Sequence, residues 1–359
     1  MKICVIGPVN TSRYYGGVST FTESLADGLN NVGANCKIVT DFTEKKTTSN
    51  GTDIVDVFNK PTRKNSKLPR ELYKVVVKEK PDYILTSLEY GLINKSIKNS
   101  SSNIKTIHYL HGFMSGLNLK KNNGLIKGNL IKYVTKYICL NSDYVISNSS
   151  LTASMNYETI GIPSNAVINL GISYDFIKQL DLEKERVQKK KSKLLYVGRL
   201  VKSKNVDKLI NAINNYKNNV TLDIIGDGPE LESLKRLSQN NPNIIFHGKK
   251  ETEEVVQFYK EAEIFISLNP NESFGITYLE ALAAGCKLIT PYTGGQLDKV
   301  LNYPDRLRMV NPLDEWQISN AVSELLDCST ESLTLDHIVN SFSFDNTAIK
   351  LNKFINSIK

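Results

Sequence analysis

Short apolar runs that end at a glycine or a polar residue recur along this chain and alternate with amphipathic stretches. The runs include KICVIGP, CKIVTDF and DYILTS in the first half, and KLLYVGR, VTLDIIGDG and NIIFHG in the second half. Runs that are short and apolar throughout are typical of strands covered on both faces, as in a parallel sheet whose strands are joined by helices. The pattern therefore predicts an α/β fold in which each half has Rossmann-like order.

The length of 359 residues favours two domains. We predict one domain over 1–172, a second over 173–342 and a final helix over 343–359, with Ile349, Phe354 and Ile355 as its apolar anchors. The charged stretch 175–193 lacks an apolar face, which indicates a linker, and 43–67 indicates a polar excursion. Two such domains that face each other create a cleft, where open α/β sheets tend to bind ligands.

The five cysteines indicate a reducing compartment. They are scattered, odd in number and free of C-x-x-C spacing, and most lie among apolar residues. The apolar run at the start of the chain is too short for a signal peptide, and nowhere do the roughly 18 apolar residues of a membrane-spanning helix run together. We therefore expect a cytoplasmic protein.

The excess positive charge lies entirely in the first half of the chain. Residues 1–180 hold 22 Lys+Arg against 13 Asp+Glu, whereas residues 181–359 hold 23 against 24. From Tyr90 to Ser142 there are eight lysines and no acidic residue. Such a surface favours an acidic partner, whether anionic lipid, a lipid pyrophosphate or nucleic acid.

The segment 124–138 predicts a basic amphipathic helix. Its apolar face is predicted to contain Ile126, Leu130, Val134, Tyr137 and Ile138. Such a helix can lie on an anionic membrane. We favour the alternative, in which the apolar face packs on the protein's own sheet and the lysines lie in water.

The stretch Ile264–Pro291 predicts a buried strand, a polar loop, a helix and a second buried strand. Glu272 lies in the loop and Glu280 lies in the helix. We predict that Ser273 caps this helix and that Gly275 lets another molecule approach its first turn. A helix N-terminus attracts anions and a carboxylate accepts hydrogen bonds from hydroxyls, so the stretch suits a nucleotide-sugar.

Two cations and two glycines follow the ends of predicted strands. Arg199 and Lys204, in YVGRLVKSKN, suit a diphosphate, although the alternative is a pair of solvated cations. Gly16 and Gly17 precede a predicted helix and could present backbone N–H groups to a phosphate. The alternative for this pair is a plain tight turn.

The histidines and acidic residues give little support for a metal or a redox cofactor. His111 ends a strand beside Gly112, at an exposed position suited to a ligand, whereas we expect His108 and His247 to be packed or superficial. No zinc-like spacing and no D-x-D pair occurs, so no metal is expected. G-x-G-x-x-G is also absent, although Asp41 ends the second strand, where a dehydrogenase would hold ribose.

Taken together, the motifs resemble the retaining glycosyltransferases of family 4, which have the GT-B fold of two facing Rossmann-like domains. The resemblance covers nearly the whole chain in order: YYGGVSTF, YLHG, NLGISYDF, YVGRLVKSKNVDKLI, DIIGDGPELESLKRL, NIIFHG and ESFGITYLEALAAG, with the E-x7-E pair of the family in the last. One departure is Asp298, in PYTGGQLDKVL, where the family commonly has a glutamate.

The resemblance implies a role for each matching residue. Glu272 would contact hydroxyls of the donor sugar, and Glu280 would bind the ribose. Arg199 and Lys204 would hold the diphosphate as it leaves, and His111 would hydrogen-bond the donor sugar from the acceptor side. Further donor contacts would come from Gly16, Gly17, Gly226, Asp227, Gly228, Lys249, Phe274 and Gly275.

The resemblance further implies the reaction and its partners. We expect transfer of a hexose from a UDP- or GDP-sugar to a saccharide or lipid-pyrophosphate acceptor, with retention of configuration and without metal or cofactor. The first domain would bind the acceptor, the second the donor, and the final helix would return to the first domain. A cell-surface polysaccharide such as capsule is the expected product, made at the inner face of a membrane, and no nucleic acid partner is expected. The alternatives are a non-catalytic glycosyltransferase-like subunit and an NAD-dependent oxidoreductase.

Overall fold

The computed structural model describes residues 1–11, 16–58, 60, 66–100, 102–112, 116–182, 189–239, 241–330 and 333–358, and of 116–125, 181–182 and 335 it describes the backbone alone. The chain divides into two compact units. Unit 1 comprises Met1–Ser173 with Phe344–Lys359, and unit 2 comprises Tyr174–Ser343.

Unit 1 is built on a parallel sheet of seven strands in the order β3-β2-β1-β4-β5-β6-β7. The strands are β1 (Lys2–Ile6), β2 (Asn35–Thr40), β3 (Ile54–Asp56), β4 (Tyr83–Ser87), β5 (Lys105–Leu110), β6 (Tyr144–Ser147) and β7 (Ala166–Val167). The helices between them are α1 (Gly17–Asn31), α2 (Leu68–Glu79), α3 (Asn94–Lys98), α4 (Gly116–Leu140) and α5 (Ser150–Ile160). From β1 the chain adds β2 and β3 on one side of the sheet and then crosses over to add β4 and the later strands on the other side. The boundary between β1 and β4 is therefore the switch point of a Rossmann-like sheet.

Unit 2 repeats this plan with a parallel sheet of six strands in the order β10-β9-β8-β11-β12-β13. The strands are β8 (Lys193–Val197), β9 (Thr221–Ile225), β10 (Ile244–Gly248), β11 (Ile264–Ile266), β12 (Lys287–Pro291) and β13 (Leu307–Val310). The helices are α6 (Tyr174–Leu182), α7 (Val206–Asn214), α8 (Leu231–Leu237), α9 (Thr252–Glu261), α10 (Ile276–Ala283), α11 (Leu297–Val300), α12 (Glu315–Leu326) and α13 (Leu335–Phe342). The predicted α/β class with Rossmann-like order in both halves is thereby confirmed.

The short apolar runs form the central strands because both of their faces are covered. Val5 and Ile6 in β1 are fully buried, as are Leu194 and Leu195 in β8. Neighbouring residues of a strand point to opposite faces, so burial of both requires helices on each side of the sheet. Burial of each such side chain stabilises the fold by roughly 1.5–3 kcal/mol.

Two segments that the sequence predicts to be irregular form regular structure. The polar excursion 43–67 contains the edge strand β3, and α6 occupies the first part of the predicted linker 175–193. Phe176, which is buried, packs its ring 5.6 Å from that of Tyr259 and anchors α6 to unit 2. A single aromatic anchor in a charged stretch gives no periodic pattern from which a helix could be predicted. The linker prediction is therefore wrong for the part of 175–193 that α6 occupies, and residues 183–188 of the predicted linker lie outside the described residues.

The last helix, α14 (Phe344–Ser357), belongs to unit 1. Phe344 contacts Phe21 of α1 at 6.1 Å between ring centroids, and Thr347 donates a hydrogen bond to the Asn169 carbonyl at 3.0 Å. Of the predicted anchors, Ile355 is buried, but Ile349 is exposed and is wrong as an anchor. The buried face of α14 is instead formed by Phe344, Thr347, Ala348, Leu351 and Ile355.

Helix α4 does not pack in the predicted way. Of the residues predicted on the packed face, Ile138 is buried, as is its neighbour Cys139, whereas Ile126, Leu130 and Tyr137 are exposed. The helix therefore buries a different face from the one predicted. Over the described part of the chain, no helix combines the length and the hydropathy that crossing a bilayer requires.

Candidate active site

The loops that follow β8 and β11 meet at one edge of the sheet of unit 2. These strands are neighbours, and the carboxyl ends of parallel strands share an edge. Lys204, after β8, forms an ion pair with Glu272, after β11, with 2.6 Å between Nζ and Oε2. Asn205 joins the same loops because its Nδ2 donates to the Leu268 carbonyl at 2.8 Å. The structure thus brings two of the predicted site residues into direct contact.

A backbone hydrogen bond and a second side chain hold Glu272 in place. Asn269 Nδ2 donates to Glu272 Oε2 at 3.1 Å, and the Gly295 N–H donates to the Glu272 carbonyl at 2.7 Å. The second bond ties the loop after β11 to the loop after β12. Two side chains therefore position the carboxylate, a third bond holds the backbone of Glu272, and the residue remains half-buried.

Gly275, not Ser273, occupies the N-cap position of α10. The helix begins at Ile276, and Gly275 has φ 78° and ψ 61°, a left-handed conformation that glycine adopts readily. A Cβ at this position would lie 2.8 Å from Tyr278 Cδ2 and 3.0 Å from Glu272 Cγ. The predicted serine cap is wrong because the chain needs a left-handed turn before the helix can start.

Glu280 lies on α10, and its carboxylate is paired with a tyrosine rather than a cation. Tyr259 OH donates to Glu280 Oε2 at 3.0 Å, and burial raises the pKa of Glu280 from 4.5 to about 7. Among the described residues no donor bonds the other oxygen, Oε1. The group therefore changes charge near neutral pH and has one oxygen for a ligand hydroxyl.

Arg199 is exposed at the end of β8. Within the residues that the structure describes, its guanidinium has no hydrogen-bond or ion-pair partner. Its carbonyl accepts a hydrogen bond from Tyr196 OH at 3.1 Å, which fixes the backbone beneath it. The side chain is thus a cation held at the site edge without a protein anion.

The loop with Gly226 and Gly228 packs on the backbone beside Arg199. A Cβ at Gly226 would lie 1.9 Å from the Gly198 carbonyl oxygen, and a Cβ at Gly228 would lie 2.3 Å from that of Leu200. Close backbone packing therefore accounts for both glycines without reference to a ligand. Asp227 between them is exposed and accepts a hydrogen bond from the Gly228 N–H at 2.7 Å.

Two other predicted donor residues differ in exposure. The Phe274 side chain is 2% exposed, so a contact from this position would involve the backbone. Lys249 is exposed immediately after β10, at the carboxyl edge of the same sheet.

His111 lies in unit 1, in the loop after β5, and is half-buried rather than exposed as predicted. Its Nε2 is 2.8 Å from Ser87 Oγ, and its ring lies 4.4 Å from that of Phe21 and 5.1 Å from that of Tyr109. Burial, reinforced by the nearby His108, lowers the pKa of His111 to about 3. The imidazole is therefore neutral near pH 7 and can exchange hydrogen bonds.

The two other histidines of the prediction are structural, as expected. His108 is buried against Thr86, with 3.0 Å between Nδ1 and Oγ1, and its pKa is lowered to about 4 by burial. His247 Nε2 lies 2.7 Å from Asp223 Oδ1.

Gly16 and Gly17 form the start of α1 in unit 1. The Gly16 N–H donates to Ser19 Oγ at 3.0 Å, and the Ser19 hydroxyl donates back to the Gly16 carbonyl at 2.7 Å. A Cβ on Gly17 would meet no atom of the described residues within 4 Å. Unlike Gly228, Gly17 is therefore not demanded by packing, and it leaves open space at the helix start.

Sequence reasoning missed Tyr259 and Asn269, which contact the two glutamates. Asn269 lies three positions before Glu272, so a contact between these two residues could have been predicted from the sequence. Tyr259 lies on α9 and reaches Glu280 only through the packing of α9 and α10, for which the sequence has no signal. Among the described residues, no group of three or more His, Cys, Asp or Glu side chains is placed to hold a metal ion.

Comparison with known families matches both halves of the chain. Residues 15–176 match the model described as Glycosyltransferase Family 4, and residues 178–337 match the model described as Glycosyl transferases group 1. The chain is 28% identical over 196 residues to the alpha-monoglucosyldiacylglycerol synthase of Streptococcus pneumoniae, a match that covers 50% of this chain and 43% of the relative. It is 30% identical over 193 residues to the O-antigen biosynthesis glycosyltransferase WbnH of Escherichia coli, covering 53% and 52%. The matches thus span about half of these relatives or less.

Solved structures agree with the fold over the full chain. Sucrose-phosphate synthase from Thermosynechococcus elongatus superposes with a TM-score of 0.76 at 18% identity, covering 99% of this chain and 98% of the other. The lipopolysaccharide outer core galactosyltransferase WaaB superposes with a TM-score of 0.74 at 19% identity, covering 100% of both chains. At such identities the likeness concerns the fold alone.

The two family matches follow each other along the chain and coincide with two Rossmann-like units, the second of which joins Lys204 to Glu272 at its sheet edge. The chain belongs to family 4 of the glycosyltransferases.

Proposed function

We propose that this protein is a retaining glycosyltransferase that transfers a hexose from a nucleoside-diphosphate sugar, UDP- or GDP-linked, to a saccharide or lipid-pyrophosphate acceptor. The observation that carries the proposal is the ion pair of Lys204 and Glu272 at the sheet edge where Arg199, which has no partner among the described residues, follows the end of β8. A carboxylate that accepts hydroxyl hydrogen bonds and cations that attract phosphate are the groups that such a donor requires.

The chemistry follows from where charge develops. Cleavage of a glycosyl–phosphate bond builds negative charge on the departing diphosphate and positive character on the sugar ring. Arg199 and Lys204 stabilise the diphosphate, and Glu272, released from Lys204 when phosphate takes that cation, accepts hydrogen bonds from the sugar. Glu280 holds the ribose through its free oxygen, and His111, neutral at pH 7, hydrogen-bonds the sugar. None of these steps requires a metal ion.

The remaining residues are assigned supporting roles. Gly16 and Gly17 present backbone to the donor phosphates, and Phe274 and Gly275 present backbone to the sugar. The loop of Gly226, Asp227 and Gly228, with Lys249, flanks the nucleoside. We assign donor binding to unit 2, acceptor binding to unit 1, and the reaction to the inner face of a membrane during synthesis of a cell-surface polysaccharide such as capsule.

A donor panel tests the proposal. The full-length protein is incubated with UDP- and GDP-hexoses, and donor hydrolysis is followed by release of nucleotide, with and without EDTA. We expect one donor to be cleaved at a rate that EDTA leaves unchanged, and NMR of the product to show the anomeric configuration of the donor. Inversion of configuration or loss of activity in EDTA would contradict the mechanism, and inertness toward every donor would instead support a non-catalytic subunit.

A further inference from the structure

Helix α4 has two apolar faces, and only one of them is required for packing against the core of unit 1. The inner face contains the buried Ile138, together with Ile131 and Cys139, which pack with Leu110 and Val145 in a core cluster of unit 1. A helix at the surface of a globular domain ordinarily has a polar face opposite its buried one.

The outer face of α4 is instead lined by large apolar side chains. They recur at intervals of four and three residues, which places them along one side of a helix. Their exposed fractions are 88% for Ile126, 60% for Leu130, 69% for Tyr133, 40% for Tyr137 and 59% for Leu140. We call these five residues the outer stripe. An exposed apolar patch of this extent marks an interaction surface rather than a chance exposure.

Lysines border the outer stripe. Lys127 and Lys136 are exposed on α4 itself, Lys95 Nζ lies 5.3 Å from the centre of the Tyr137 ring, and Lys98 Nζ donates to the Leu140 carbonyl at 3.4 Å. Within the described part of the chain none of these four forms an ion pair. The segment Tyr90–Ser142, which contains them, has no acidic residue.

We infer that the outer stripe with its lysines is a docking surface for an anionic membrane, on which α4 lies parallel to the bilayer plane. Leu and Ile enter the acyl boundary, the tyrosines lie at the headgroup level with their hydroxyls in water, and the lysines reach anionic headgroups. The proposed function assigns the reaction to the inner face of a membrane, and this inference names the surface of the protein that contacts that membrane. It does not depend on the transfer chemistry.

Charge argues against the main alternative occupant. The spacing of the stripe would also suit packing against α4 of a second copy. That arrangement would bring two sets of lysines together with no acidic residue of the segment to offset them. An anionic lipid surface satisfies both the apolar stripe and the lysines.

Vesicle co-sedimentation of the full-length protein tests the inference. The vesicles contain equal parts of phosphatidylglycerol and phosphatidylcholine, or phosphatidylcholine alone. We expect binding to the anionic vesicles and a decrease of at least about ten-fold in Ile126→Ser/Leu130→Ser/Tyr133→Ser, because those side chains lose apolar contact with the bilayer. The control Trp316→Ser, which removes a side chain that is 73% exposed in unit 2, should bind as the parent does.

Charge is tested separately. Lys127→Gln/Lys136→Gln should weaken anionic binding by about 30-fold, since each lysine near such a surface contributes about five-fold. The matched pair Lys217→Gln/Lys353→Gln, exposed outside this surface, should change binding much less. Equal loss in both pairs would overturn a local docking surface.

Fluorescence locates the contact. The chain has one tryptophan, Trp316, so Trp316→Phe/Tyr133→Trp carries a single reporter on the outer stripe. Its emission should shift to shorter wavelength and be quenched by brominated acyl chains, whereas Trp316 in the parent should not respond. Absence of quenching, absence of anionic binding, or a concentration-dependent dimer that the triple serine variant abolishes would overturn the inference. Donor cleavage by the variants is measured in parallel without vesicles, so failure of docking and failure of the transfer chemistry remain distinguishable.

Discussion

Lys204 Nζ lies 2.6 Å from Glu272 Oε2, so a cation and a carboxylate to which we assign different parts of the donor neutralise each other before a ligand binds. The side chains are 24% and 18% exposed, intermediate between a surface pair and a buried one. Pairing orients both groups, and a diphosphate can replace the carboxylate as the partner of Lys204.

The first prediction concerns the energy of this pair. In a double-mutant cycle of Lys204→Met and Glu272→Gln, chemical denaturation should give a coupling of about 1 kcal/mol in the free energy of unfolding. Lys250 and Glu254, a more exposed pair at 2.7 Å that joins the residue before the N-cap of α9 to its first turn, provide the control and should couple by only about 0.3–0.5 kcal/mol. Coupling no larger than in the control pair would show that the site does not preorganise Lys204 and Glu272.

The second prediction concerns Glu280 and pH. Its pKa in the fold is about 7, and hydroxyl donors stabilise the ionised form, so affinity for a nucleoside-diphosphate sugar should rise between pH 6 and 8. Glu280→Gln should flatten this rise and weaken binding at pH 8 by about 1.5–3 kcal/mol, as measured by calorimetric titration. An unchanged pH profile in Glu280→Gln would remove the ribose role.

The same group sets a stability trend of defined sign. The folded pKa of Glu280, about 7, is above the value of 4.5 for the free group, so the folded state binds the extra proton. The contribution of Glu280 to stability therefore falls as pH rises from about 4.5 to 7 and stays constant above that. Thermal unfolding of Glu280→Gln should lose this part of the pH dependence, and a profile that matches the parent would contradict the raised pKa.

The third prediction separates turnover from binding at Arg199. Because the guanidinium has no partner among the described residues, Arg199→Ala should leave the unfolding temperature unchanged. Its assigned role is to stabilise charge on the leaving diphosphate, so kcat should fall by about 10²–10³, more than affinity for the donor falls. Lys202→Ala, which removes an exposed cation in the next turn, is the control. Equal losses in turnover and affinity would leave Arg199 a binding residue only.

The fourth prediction compares Gly17 and Gly228, two glycines for which the sequence analysis expects the same role, a contact with the donor. Gly228→Ala should destabilise unit 2 by several kcal/mol or prevent folding, since its Cβ would lie 2.3 Å from a backbone oxygen. Gly17→Ala should leave stability unchanged or slightly increased, because the Cβ meets no atom of the described chain within 4 Å and alanine favours a helix. Any loss of donor affinity in a fully folded Gly17→Ala would then report a ligand contact, whereas full affinity would show that Gly17 lies away from the donor.

The sequence by itself determined the fold class and the two Rossmann-like halves, and it placed Lys204 and Glu272 after the ends of strands. Short runs such as that of β1 are apolar on both faces, and the carboxyl ends of neighbouring parallel strands share an edge. These properties are local or follow from strand order, so they are readable from residue patterns.

Only the tertiary structure decided which partners these residues have. Tyr259 reaches Glu280 because α9 and α10 pack together, and Gly275 replaces Ser273 as the cap because the chain must turn left-handed beside Glu272. The same holds for α4, whose sequence has two apolar faces. Periodicity locates both faces of such a helix, but burial depends on which face meets the core, and that is settled by the packing of the surrounding elements.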